Sequence, residues 1–244
     1  MEAIGLIGFG RFGQLLYKYI ASDYIVTIYD PHKQQEPDFE TYPFAALEEV
    51  AYNPLVIIAT PISAIEKVAR NIAPLVRPET IVMDVCSVKN YPLNVLNEYL
   101  PEYAEIIGSH PLFGPESVTK SLRGKTVILS PIYASTKSFE KIKTFWKGLG
   151  VRSIAMSPTE HDRVMAWTLA LSHFLGRGLG RLTLPSVRLS TKDYRILRQL
   201  IDLVNRDSIQ LFQDMHRFNP FTREMRKQVL RELQSLNDEL DHMV

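Results

Sequence analysis

The chain opens on an apolar run, Ala3-Ile4-Gly5-Leu6-Ile7, that passes directly into Gly8-Phe9-Gly10-Arg11-Phe12-Gly13 and then into an amphipathic stretch from Phe12 to Ile20. Few folds satisfy that order. A buried strand must turn into a helix within a few residues, and each glycine answers a separate demand. Gly8 permits the tight turn, Gly10 lets a pyrophosphate approach the backbone, and Gly13 lets helix and strand pack closely. Free amides at the helix N-terminus favour the phosphate charge, so the whole loop, with Phe9, Arg11 and Phe12, is a candidate dinucleotide cradle. The next apolar run ends in Thr27-Ile28-Tyr29-Asp30. A carboxylate there accepts hydrogen bonds from ribose hydroxyls and repels a 2′-phosphate, which favours NAD, while His32 and Lys33 keep NADP open.

Short apolar runs and amphipathic stretches alternate as far as Ala155. Strands are expected at 3–7, 25–29, 55–59, 80–85, 106–108, 126–129 and 152–155, with helices such as 12–20, 62–75, 91–99 and 137–149 between them. This pattern predicts an α/β fold with an N-terminal Rossmann-type, doubly wound, mostly parallel sheet. Around Ser157-Pro158 the texture changes to helix alone, which divides the chain into a dinucleotide-binding domain over 1–156 and a helical substrate and dimerisation domain over 157–244. Asp162 to Leu182 reads as one long helix. From Phe221 to Met243 apolar residues recur in steps of three and four, an amphipathic helix of about six turns. Such a stripe needs a partner surface, and a homodimer through this tail is expected.

Composition narrows the class further. Lys plus Arg (28) balance Asp plus Glu (27), so no overall footprint of a nucleic-acid binder exists. No apolar run approaches the roughly 20 residues that cross a bilayer. The single cysteine, Cys86, cannot form an internal disulfide, and Met1-Glu2 lead straight into the first strand; a cytoplasmic protein without a signal peptide is expected. Cys86 itself reads as a packed thiol.

Three segments stand at predicted strand ends, where ligands of open parallel sheets bind. Thr60-Pro61 follows the third strand and can line the nicotinamide half of a cofactor. Asp84-Val85-Cys86-Ser87-Val88-Lys89 ends the fourth, and Gly108-Ser109-His110-Pro111-Leu112-Phe113-Gly114-Pro115-Glu116-Ser117 follows the fifth. Thr60 and Ser87 also read as helix caps, and His110 as a satisfied loop histidine. Beside a loop shaped by Gly and Pro, however, His110 is placed to take a proton near neutral pH. No metal-binding set is expected.

Taken together, these segments, with Gly124-Lys125-Thr126-Val127-Ile128-Leu129, Glu160-His161-Asp162 and Ser172-His173-Phe174, resemble the prephenate and arogenate dehydrogenase family of tyrosine biosynthesis, in order from Ile4 to Phe174. After Arg188 the likeness is looser; Asp207-Ser208-Ile209-Gln210-Leu211-Phe212 and Arg217-Phe218-Asn219 resemble the arogenate branch. The resemblance implies that His110 takes the proton of the ring C4 hydroxyl, that Ser87 orients His110 and the substrate oxygen, and that His173 and Glu116 help bind substrate. For His161 it leaves open a structural role capping the long helix or a ligand contact. Family members often carry an arginine five residues before the position of Asp207, where this chain has Asp202. Arg195, Arg198 and Arg206 are the candidates for the ring carboxylate, and the choice between prephenate and arogenate stays open.

The implied reaction is NAD(P)-dependent oxidative decarboxylation of a cyclohexadienyl acid, with aromatisation as driving force. Two rival readings stand beside it. One is another two-domain dehydrogenase acting on a hydroxy acid or an imine, which usually relies on a helical-domain lysine or aspartate; between Val151 and Arg226 this chain has one lysine, Lys192. The other is a non-catalytic NAD-sensing module.

Overall fold

The computed structural model describes residues 2–33, 39–185 and 189–243. Arg188, after which the family likeness loosens, lies outside them. The chain divides into two compact units, Met1–His161 and Asp162–Val244.

The first unit is a seven-stranded sheet of order β2-β1-β3-β4-β5-β6-β7. Its strands are β1 (Ala3–Ile7), β2 (Ile25–Tyr29), β3 (Leu55–Ile58), β4 (Ile81–Asp84), β5 (Glu105–Pro111), β6 (Thr126–Tyr133) and β7 (Arg152–Ala155). Between them run α1 (Arg11–Ile20), α2 (Leu47–Ala51), α3 (Ile65–Ile72), α4 (Asn90–Tyr99) and α5 (Thr136–Gly148). The central strands Leu55–Ile58 and Ile81–Asp84 are buried along their whole length, which is why they read as unbroken apolar runs. Because β2 and β3 flank β1, the connections reverse direction at β1, and right-handed crossovers then put successive helices on opposite faces. That reversal opens a crevice at the carboxyl ends of β1 and β3.

The sheet is mostly parallel, as expected, with the β5–β6 pair antiparallel; one expectation needs correcting. The antiparallel ladder also pairs His110 with Ile128 and Pro111 with Val127, so β5 continues three residues past Gly108. His110 is therefore a strand residue, fixed by sheet pairing, rather than a loop residue.

The second unit contains the end of α6 (Pro158–Met165), one π-helical turn (Ala166–Ala170), α7 (Leu171–Leu179), α8 (Lys192–Asn205), α9 (Ile209–Phe218) and α10 (Thr222–Asp241). The expected single helix over 162–182 is thus interrupted by a wider turn. Thr168 Oγ1 donates to Val164 O at 2.8 Å and Ser172 Oγ to Thr168 O at 2.8 Å, supplying donors where the regular ladder changes. Thr191 caps α8 and Ser208 caps α9 through their hydroxyls. The buried Asn219 closes the turn into α10: its Nδ2 donates to Asp162 O at 2.7 Å and its Oδ1 accepts from Phe221 N at 2.9 Å.

Candidate functional site

The glycine loop has the geometry of a phosphate cradle. Gly8 sits at φ +97°, a left-handed conformation that L side chains rarely adopt. A Cβ at Gly13 would lie 2.2 Å from Gly8 O, whereas one at Gly10 would meet nothing within 4 Å. Two glycines thus serve the fold, and the third leaves open space in front of the α1 N-terminus. Asp30 ties the loop to β2: Oδ2 accepts from Phe9 N at 2.7 Å and Oδ1 from His32 N at 2.9 Å. The Phe9 ring is a core residue, 4.8 Å from Tyr42 and 5.3 Å from Phe44, so Phe9 offers a ligand backbone only. Phe12 packs towards Phe113. Arg11 is ion-paired with Glu116, which places that carboxylate beside the cradle. At the end of β3, Thr60 Oγ1 is buried without a hydrogen-bond partner, and the exposed Pro61 starts the following turn. Open space at Gly10, an acid at the end of β2 and an orphaned hydroxyl at the end of β3 fit a dinucleotide.

Farther along the same sheet edge, His110 Nδ1 lies 2.8 Å from His161 Nε2. His110 is 7% exposed and His161 is fully buried. The α6 start that carries His161 is anchored by Asn90 Nδ2 to Pro158 O at 3.2 Å, by Thr159 Oγ1 to Asn90 Oδ1 at 3.2 Å, and by Ser130 Oγ to Met156 O at 2.7 Å. Sequence reasoning assigned the orienting bond to Ser87. In the structure His161 makes it, and Ser87 Oγ is buried without a partner, a second orphaned hydroxyl on this edge. Below the same strand end Lys89 and Asp84, both fully buried, form an ion pair, and Asp84 Oδ2 also accepts from Cys86 N at 2.9 Å. Burial, then His161 and then the Lys89 ammonium hold His110 well below the usual histidine range. A neutral, oriented imidazole on the same sheet edge as a dinucleotide cradle can take a proton from a substrate hydroxyl.

In the second unit, His173 Nε2 is 3.5 Å from Asp207 Oδ2, while its Nδ1 is buried without a partner. Arg177, one turn along α7, donates to Asp207 O, and its Nε is a further buried orphan. Sequence reasoning missed Arg177; the signal was its i, i+4 spacing from His173 on a helix. The three arginines it chose lie on α8 and at its end. Arg195 Nη1 donates to Ser190 O at 2.7 Å, and Arg198 and Arg206 are exposed on α8 and at its end. An open cavity of about 520 Å³ lies against Phe174, Phe212, His216 and Arg226. Burial, Arg226 and His173 push His216 down to about 4.

These depressed histidines set an acid dependence. Burial lowers His173 as well, against the raising effect of Asp207. Below the ordinary histidine value of about 6.5, the unfolded chain binds protons at these sites that the fold does not, so stability falls as pH drops. For His216 the loss runs from about 6.5 to about 4. Thermal melts should show the transition falling over that window, and His216→Phe should flatten the slope; a melting temperature indifferent to pH there would contradict the assignment.

The family described as prephenate dehydrogenase, nucleotide-binding domain, matches residues 27–155, more than half of the chain. The chain belongs to the prephenate dehydrogenase family. Residues 178–244 match a TYRAAT1-like C-terminal domain. The "Probable arogenate/prephenate dehydrogenase" of Methanocaldococcus jannaschii is 31% identical over 202 residues, covering 79% of this chain and 45% of that protein. Arogenate dehydrogenase 1, chloroplastic, of Arabidopsis thaliana is 28% identical over 250 residues, covering 97% and 39%. This prephenate dehydrogenase family member therefore spans less than half the length of either relative. A crystal structure of prephenate dehydrogenase from A. aeolicus in complex with hydroxyphenyl propionate and NAD+ superposes with a TM-score of 0.74 at 19% identity, covering 99% of this chain and 89% of that one. At that identity the match speaks for the fold. The sheet followed by a helical bundle is the architecture of this family.

Proposed function

We propose that the protein is an NAD-dependent cyclohexadienyl dehydrogenase that oxidatively decarboxylates prephenate or arogenate. The observation that carries this reading is the buried His110–His161 pair at the end of β5, on the same sheet edge as the glycine cradle in a unit of the prephenate dehydrogenase family. The relatives' names point to the same substrates.

Gly8, Gly10 and Gly13 with the α1 N-terminus would hold the pyrophosphate, Asp30 the adenosine ribose, and Thr60 with Pro61 the nicotinamide half. A nicotinamide held there would supply the hydride acceptor for the substrate's C4. His110 takes the C4 hydroxyl proton. For this its Nε2 must carry a lone pair, which requires Nδ1 to donate to His161 Nε2. His161 is thus a positioning residue that selects the tautomer. Ser87, with an unused buried hydroxyl, is available to the substrate oxygen. Within the helical unit, His173 and Arg177 on α7 are the groups whose chemistry suits a carboxylate. Loss of carbon dioxide makes the ring aromatic, so positioning and proton removal are what the chain has to provide.

No described helix is long and apolar enough to cross a membrane. We place the protein in the cytoplasm, a reading supported by its lone, buried cysteine. A homodimer through the helical unit is supported by Leu230, Leu233, Leu236 and Leu240, each more than half exposed along α10.

The test is an absorbance assay for reduced nicotinamide with NAD or NADP, each paired with prephenate and with arogenate. Turnover with an NAD pairing is expected and identifies the substrate. Cofactor binding with silence in all four pairings would refute the reading in favour of a nucleotide-sensing module.

A further inference from the structure

A fully buried lysine demands a reason, since an ammonium loses several kcal/mol of hydration on burial. The Lys89 side chain is 0% exposed and ion-paired with Asp84 at the end of β4. Its stem runs against β5: a Cβ at Gly108 would come within 3.1 Å of Lys89 Cδ and 2.7 Å of Leu93 Cδ1. Residues 108 and 110 project from the same face of a strand, so the missing side chain at Gly108 opens the face that carries His110 to the lysine. Stability does not account for the pair. An apolar pair of similar volume generally serves a core as well as a buried ion pair, and the bond that starts α4, Leu93 N to Lys89 O at 3.2 Å, uses backbone alone.

We propose that Lys89, clamped by Asp84, is a positioning residue that keeps His110 in its base form at neutral and mildly acidic pH. The inference rests on the proposed role of His110 as the proton acceptor. The titratable groups that act on His110 include His161 from α6 and Lys89, ion-paired with Asp84, from the β4–α4 connection; on β6 the residue in register is Ile128, which carries no charge. Burial and the Lys89 ammonium act on the imidazole in the direction this role requires. The carboxylate does the complementary work: it offsets the cost of burying the cation and fixes where the cation sits.

The experiment is an NMR titration of the full-length, histidine-labelled protein, with the His110 ring signals assigned through His110→Asn. Wild type is compared with Lys89→Met and with Asp84→Asn/Lys89→Met. The double variant leaves no unpaired buried charge, so it remains informative if the single variant fails to fold. His110 should titrate about one pH unit higher in folded Lys89→Met, and higher by a smaller amount in the double variant, where the opposing carboxylate leaves with the cation; the acid limb of kcat/KM should move with it. The titration needs no turnover, so an inactive wild type would overturn the proposed reaction without affecting this readout. An unmoved His110 titration in the folded double variant, whatever happens to kcat, would overturn the inference and leave Lys89 a structural residue.

Discussion

The His110→Asn variant should lose a factor of about 10²–10⁴ in kcat while binding NAD as tightly as wild type. Asparagine is close in size and its amide can still meet His161 Nε2, so the 2.8 Å contact that holds α6 against β5 has a substitute. What it lacks is a nitrogen that accepts a proton. The cradle around Gly10 lies at the end of β1, at the switch point, and β5 lies three strands away in the order β1-β3-β4-β5, which is why cofactor affinity should be spared. Stopped-flow turnover together with a fluorescence titration of reduced nicotinamide separates the two quantities. An Asn variant with near-normal kcat would remove His110 from the proton-acceptor role.

Among substitutions in the cradle, Gly10→Ala and Gly13→Ala should fail in opposite ways. At Gly13 a methyl group would sit 2.2 Å from Gly8 O, a backbone atom that cannot yield without moving the turn. Stability should drop by about 1–3 kcal/mol or more. At Gly10 the backbone has φ −70° and a Cβ meets nothing within 4 Å, so alanine is unstrained and stability should stay within about 0.5 kcal/mol of wild type. The added methyl instead occupies the space a pyrophosphate needs, and NAD affinity should weaken at least about tenfold, or ~1.4 kcal/mol. Chemical denaturation and a cofactor titration on both variants read the two effects. A Gly10→Ala protein that binds NAD normally would mean that the open space is not where the phosphates lie.

Features that depend on local chain geometry were legible in the sequence. Strand, Gly8-Phe9-Gly10-Arg11-Phe12-Gly13 and helix follow one another within a dozen residues, and the structure sets Asp30, Thr60 and Ser87 at or just beyond the ends of their strands as the pattern requires. Features decided by contacts between distant segments were not. The direction of β6 depends on its pairing with β5. His161 stands 51 residues from His110, and in Glu160-His161-Asp162 nothing distinguishes an imidazole aimed at a strand end from one that caps a helix. Lys89 and Asp84 read as ordinary charges until the fold removes both from water. The arginines of α8 show the reverse: Arg195 and Arg198 were chosen by proximity in sequence to the family's pattern, but the helix turns them outward, and Arg177 on α7 stands beside Asp207 instead.

The central claim, that the cradle and the His110–His161 pair together carry out oxidative decarboxylation, is tested most directly by following reduced nicotinamide and carbon dioxide from the same reaction of NAD with prephenate or arogenate. The account predicts that the two products appear in equal molar amounts, and that both vanish together in the His110→Asn protein. Reduced nicotinamide formed without carbon dioxide, or tight NAD binding that yields neither product, would contradict it.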